Sequence, residues 1–269
     1  MRYLACVALL LAACTQQPKP AAKPAEITFD GAVVSDAAAK IAHGERLTHV
    51  LGCTGCHDKG LVGSRFYELY ASNLTREIPK YSDAQFDRLL RHGERPSGKD
   101  LDGMPSEIFQ HLNDSDVVDL LAYLRTLKPT GVPTQPALPF TAETKKLIAA
   151  GELKPAAEWV RLLKDKTPVD LGPRYALGRY ITMVTCAECH GEQLNGDPHP
   201  HPGAPPNLIM VGGYSRADFD KLITQGIPVG NRKLNAMMSG VATTRFNHLT
   251  RHERDELYAY LKARAEKAN

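Results

Sequence analysis

Apolar residues recur at three- and four-residue spacing over Ala37–Gly52 and Pro173–Thr185, the pattern of helices with one face turned inward. Ser82 with Gln85, and Ser215 with Asp218, read as N-caps followed three positions on by a polar or acidic residue. The helices they open run to Gly93 and Gly226, residue types that suit a left-handed C-terminal stop. Asn113 or Asp114 caps a further helix over Ser115–Leu127, and Thr250 with Glu253 forms a capping box for Arg251–Ala265. No stretch alternates polar and apolar residues convincingly, and no hairpin turn signal stands out, so the fold class predicted is mainly α. Between the helical blocks lies the proline-rich linker "KPTGVPTQPALPF". The following stretch, Thr141–Lys166, predicts one or two short helices, with Trp159 as a core or interface anchor.

The pattern repeats. "YSDAQFDRLLRHG" at 81–93 falls on "YSRADFDKLITQG" at 214–226 with seven identities in thirteen positions, at an offset of 133. "FQHL" at 109–112 matches "FNHL" at 246–249, and "LLAYL" at 120–124 matches "LYAYL" at 257–261, now at an offset of 137. A repeated block of this kind is one structural unit present twice. Four extra residues therefore lie in the second copy before Phe246.

Composition adds a compartment. The chain opens "MRYLACVALLLAAC", one positive charge and then an apolar run too short to span a bilayer, which takes about 20 residues. It closes in Leu11-Ala12-Ala13-Cys14, which resembles the lipobox of bacterial lipoproteins, where the signal is cut before the cysteine and the thiol is acylated. The polar, proline-rich "TQQPKPAAKPAE" that follows suits a tether. The expectation is an exported, periplasmic protein, lipid-anchored through Cys14 to a bacterial membrane. Thr15 resembles the sorting residue for the outer membrane. Formal net charge is +3 with no basic block, which argues against nucleic acid as a partner.

Cys6 leaves with the signal, Cys14 takes lipid, and the remaining four cysteines fall in two pentads, "CTGCH" at 53–57 and "CAECH" at 186–190. Cys-x-x-Cys-His has one well-attested use, covalent attachment of a c-type haem. Two intervening residues let one helical turn present both sulfurs, Cys53 with Cys56 and Cys186 with Cys189, to the porphyrin vinyl groups. His57 and His190 then lie under the metal as proximal ligands. A zinc or redox Cys-x-x-Cys is the competing reading. Neither competitor explains why Met104 lies 47 residues after His57 and Met237 lies 47 residues after His190. Thioether sulfur opposite histidine is the ligation that raises a haem potential.

The pentads, "SNLT", "MPSE", "GRYITMVTCAECHG", "PPNL" and the paired "YS" blocks resemble the dihaem cytochromes c, with domains similar to those in cytochrome subunits of membrane-bound bacterial alcohol and aldehyde dehydrogenases. The resemblance covers roughly residues 37–267. It implies two tandem cytochrome c-like helical domains, each around one covalently bound haem c, with Met104 as the first sixth ligand. Second domains of that family end Leu-x-x-Met-(Ser/Gly)-x-Val-Ala before Arg-Phe. Here "MSGVA" at 238–242 favours Met238, whereas the Leu-x-x-Met part and the spacing from the pentad select Met237. In cytochromes c a proline-bearing loop supplies a backbone carbonyl to the proximal histidine. Pro205-Pro206 fits that role, and Ala71-Ser72 in the first copy has no proline. Tyr81 and Tyr214 read equally as haem-propionate partners and as helix-start packing. His111 and His248 read as surface or second-layer residues, and His199 and His201 as a solvated loop.

The domain plan is then a signal over 1–13, a lipidated tether over 14–34, cytochrome domains over 35–130 and 173–269, and a linker with short helices over 131–172. The expected function is shuttling single electrons between a redox enzyme or quinol-linked donor and a terminal acceptor, with a dehydrogenase or terminal oxidase as redox-protein partner, without catalysis by the chain itself. The alternative is a dihaem enzyme of the peroxidase or sulfur-compound oxidase type. That chemistry needs a labile sixth position on one iron, and the sequence offers a methionine in each copy and no spare cysteine.

Overall fold

A computed structural model describes residues 26–32, 36–199, 201–230 and 232–268. Cys6, Cys14 and the leader lie outside the described residues. Among the described residues no helix is long and apolar enough to cross a membrane. Helix α1 (Ala37–Val50) is capped by Asp36 and leads into the single turn α2 (Cys53–Cys56). A small antiparallel hairpin, β1 (Ser64–Phe66) and β2 (Leu69–Ala71), precedes α3 (Leu74–Glu77) and α4 (Asp83–His92). Then come α5 (Ser106–Phe109), α6 (Asp114–Leu124), α7 (Ala142–Ala149) and α8 (Ala156–Leu163). The second copy comprises α9 (Ala176–Ile181), a π-helical stretch Thr182–Cys186, α10 (Ala187–His190), α11 (Arg216–Gln225), α12 (Ala236–Thr244) and α13 (Arg251–Ala268).

The capping residues act as their chemistry predicts. Ser82 and Gln85 close a reciprocal capping box, Ser215 accepts from Asp218 N, and Thr250 and Glu253 exchange bonds at 2.7 and 3.1 Å. Asn113, rather than Asp114, is the cap of α6. Gly93 and Gly226 stop their helices at φ 66° and 69°. The hairpin departs from the expectation of no strands. Its strands have three residues each, too few to register as alternation, and its turn sets Tyr67 at φ 52° without the usual glycine. Trp159 is half-buried; Ala156 and Val160 are the residues through which α8 packs inward.

In each copy the first helix crosses the last, α1 on α6 and α9 on α13. Leu47 and Val50 pack with Leu120 and Leu124, and Tyr180 and Ile181 with Leu257 and Leu261, all within one buried apolar cluster. Burying such side chains contributes roughly 1.5–3 kcal/mol each. Both crossings pass over a glycine. A Cβ on Gly44 would lie 2.0 Å from the Asp119 carbonyl oxygen, and one on Gly178 would lie 2.1 Å from that of Glu256. The helix propensity lost at these glycines is the condition for backbone-to-backbone approach.

The copies meet along a polar seam. Arg46 forks onto Glu253 through bonds of 2.8 and 2.9 Å, and Asp30 N donates to the same carboxylate. Glu253 is fully buried. Tyr180 Oη donates to Asp116 Oδ2 at 2.7 Å, which also accepts from Phe29 N. His49 and His248 stack with ring centroids 4.1 Å apart. The linker is pinned where it leaves the first copy, since Asn73 Nδ2 donates to both Thr130 O and Val132 O at 2.8 Å.

Candidate haem sites

Gly52, at φ 81°, turns the chain from α1 into the turn that carries Cys53 and Cys56. Residues three apart on one turn share a face, so both sulfurs border one slot together with His57, Leu69, Met104 and Phe109. The slot measures about 80 Å³. In the second copy the π-helical stretch runs directly into α10. There Cys186, Cys189, His190, Phe246, Met210 and Met238 border a cavity of about 430 Å³. The same residue types, carried by corresponding elements, thus border a cavity in each copy.

The two histidines are held alike. His57 Nδ1 donates to Ser72 O at 2.7 Å, and His190 Nδ1 donates to Pro206 O at 2.7 Å. With the proton committed at Nδ1, Nε2 keeps its lone pair for a metal, the usual arrangement of a ligating histidine. Burial lowers both imidazole pKa values, partly offset by the carbonyl contact, so both rings are held neutral. The first copy needs no proline for this, because a main-chain carbonyl at residue 72 serves as well as one at 206.

Burial pushes the thiols up, Cys53 to about 12 and Cys186 to about 11, with Cys56 and Cys189 also raised. The guanidinium of Arg245 pulls the other way at all four. Reactive cysteines are thiolates with lowered pKa values, the opposite of what burial does here. Among the described residues no group of three or more His, Cys, Asp or Glu is placed to hold a metal ion. Thiols one turn apart on a cavity wall, a histidine with free Nε2 and a thioether on the same wall fit a covalently held porphyrin instead.

Met104 is partly buried against the core just ahead of α5. Met238 lies likewise inside α12, while Met237, its neighbour on the same helix, is 65 % exposed. Additional residues fall in this segment, where α12 has nine residues and α5 has four. His111 borders neither cavity, and His248 is committed to the stack with His49. His201 sits at the rim of the second cavity with its side chain 60 % exposed. Tyr214 also borders that cavity, its hydroxyl accepting from Arg232 at 2.9 Å.

Arg245 and Glu188 escaped the sequence reading. Arg245 borders the second cavity, while Glu188, between the cysteines of the second pentad, borders the first slot. They form an ion pair of 2.7 Å between the two sites. The only hint in the sequence is the Arg-Phe pair itself, because the partners of Arg245 are 57 and 195 residues away.

The protein-family model of cytochrome c matches residues 175–265. The cytochrome subunit of a fructose dehydrogenase from Gluconobacter japonicus is 30 % identical over 169 residues, covering 56 % of this chain and 34 % of that protein. The chain therefore spans about a third of the length of that relative. A protein named diheme cytochrome c-type from Cereibacter sphaeroides is 26 % identical over 262 residues, 82 % of this chain and 84 % of its own length. The Cbb3-type cytochrome c oxidase subunit CcoP of Helicobacter pylori is 31 % identical over 90 residues, 33 % of this chain and 28 % of that one. The matched stretch, 175–265, encloses the Cys186–Cys189 pair and the carbonyl-held His190, so the comparisons point to covalently bound haem c and to electron transfer.

Proposed function

We propose that the chain is a dihaem c-type cytochrome that relays single electrons between a redox enzyme and a terminal acceptor. One haem is held by Cys53, Cys56, His57 and Met104 over 35–130. The other is held by Cys186, Cys189, His190 and Met238 over 173–269. The observation that carries the reading is the repetition of the histidine-to-carbonyl bond at 2.7 Å in both copies, each beside two cysteines that border the same cavity. Haem bound in these sites supplies one-electron exchange at its iron. The chain holds each imidazole neutral and oriented, offers a soft sulfur on the cavity wall, and lines the sites with apolar groups that keep water out.

The relatives named for a dehydrogenase and an oxidase support a dehydrogenase donor and an oxidase acceptor for this chain. The Leu11-Ala12-Ala13-Cys14 ending supports export, cleavage and lipid anchoring at Cys14, with the outer membrane favoured by Thr15. The test is haem content of the purified full chain, followed by carbon monoxide titration of the reduced protein. Two haems per chain with neither binding carbon monoxide is the expected result. A single haem overturns the dihaem reading, and ready binding at one of two haems replaces the carrier by a dihaem enzyme.

A further inference from the structure

One buried cation contacts the second pentad and lies against the residues that lead into the first. Arg245 Nε donates to Val50 O at 3.2 Å, at the last residue of α1, and Nη1 donates to Glu188 Oε2 at 2.7 Å, inside the second pentad. Its Cζ occupies the space beside Gly52, where a Cβ would lie only 2.8 Å away, at the entry to the first pentad. The residue is 9 % exposed, and Nη2 is buried without a partner. A guanidinium left incompletely paired in a protein interior is costly, and such a cost persists where the charge has a use. Glu188, the counter-charge, is more open to solvent, with its side chain 29 % exposed against 11 % for Arg245. Water therefore screens the carboxylate more than the guanidinium.

We infer that the Arg245–Glu188 pair is a shared electrostatic control of both haems, Arg245 raising the two reduction potentials together and Glu188 lowering them. The inference rests on the reading that both sites carry haem. A nearby positive charge favours the state with one more electron, so it raises a potential, and a negative charge does the reverse. Because the guanidinium is seated between the pentads, it acts on both centres. The relay thus has one charge pair through which its overall potential is set without disturbing either ligand set.

Redox titration of the full-length holoprotein tests this, after haem content has established two haems per chain. A single haem at that stage defeats the underlying dihaem reading, not this inference specifically. With two haems present, R245Q is expected to shift both waves to lower potential and E188Q to shift both to higher potential. R245K, which keeps the charge, is expected to restore most of the R245Q shift. Opposite signs for the two variants are the signature, since mere loosening of the interface by either would move the potentials in one direction. Shifts of the same sign in R245Q and E188Q, or movement of one wave only, or of neither, overturn the proposal. Should R245Q fail to fold, as judged by circular dichroism and haem content, E188Q and R245K decide. An upward shift of both waves in E188Q with R245K near the parent sustains the proposal, and any other result overturns it.

Discussion

His57 donates its Nδ1 proton to the carbonyl oxygen of Ser72 at 2.7 Å, with no proline in the loop that presents it. The acceptor is main chain, so the Ser72 side chain is dispensable to the contact. Ser72→Ala is expected to leave the redox titration of the holoprotein unchanged. In the second copy Pro206 both presents the carbonyl and stiffens the loop. Pro206→Ala is expected to keep the contact while costing about 0.4–1 kcal/mol through the freer unfolded chain, read in urea unfolding.

Met237 and Met238 separate by burial on one short helix. Alanine at Met238 is expected to let one haem per chain bind carbon monoxide after reduction, and alanine at Met104 to do the same at the other haem. Met237→Ala is expected to bind none, because its side chain, although it borders the second cavity, is 65 % exposed. Carbon monoxide binding in Met237→Ala with none in Met238→Ala would exchange the two assignments.

Gly44 and Gly178 sit where paired helices touch through their backbones. Alanine at either position must push a helix away from its partner, since the obstacle is a carbonyl oxygen rather than a flexible side chain. The expected cost is at least about 1–3 kcal/mol in chemical denaturation, the range for overpacking a filled interior. Alanine in place of Gly98, where a Cβ would meet nothing within 4 Å but φ is 71°, serves as a comparison with backbone strain alone.

Asp116, at the seam, is raised to about 7 by burial, against hydrogen bonds from Tyr180 and Phe29 that lower it. The fold therefore favours the protonated acid. Its contribution is fully present below the ordinary aspartate pKa near 4 and is lost as pH rises to about 7. Asp116 Oδ1 and His43 Nε2 face each other at 3.8 Å, both without another partner, and His43 Nδ1 pairs with Asp119 at 3.1 Å. Burial lowers the His43 pKa, which gives an opposing rise in stability with pH. Asp116→Asn is expected to remove the fall between about pH 4 and 7 and leave the rise, measured as urea midpoints against pH. An unchanged profile would mean that Asp116 is ionised in the fold.

What the sequence disclosed was whatever is local or repeated. The capping pairs at Ser82, Ser215 and Thr250 act within three residues, so their partners are visible in any short window. The pentads were legible because they occur twice, whereas the repeated 47-residue spacing pointed in the second copy to Met237, the exposed neighbour of Met238. The carbonyl of Ser72 was not, because a main-chain acceptor leaves no residue signature. Gly44 and Gly178 look like helix breakers until the crossing helix is known. The hairpin at 64–71 is shorter than the window in which alternation can be recognised. Arg245 acts across the seam, on partners that lie far off along the chain.

The fork from Arg46 onto buried Glu253 has a kinetic consequence for the proposed relay. An ion pair of this kind roughly breaks even against solvation, so it adds little adhesion but fixes how the two copies face one another. Carriers held at one fixed orientation exchange charge by a first-order step whose rate does not depend on how dilute the protein is. Only the entry and the exit of each electron then wait on a diffusional encounter.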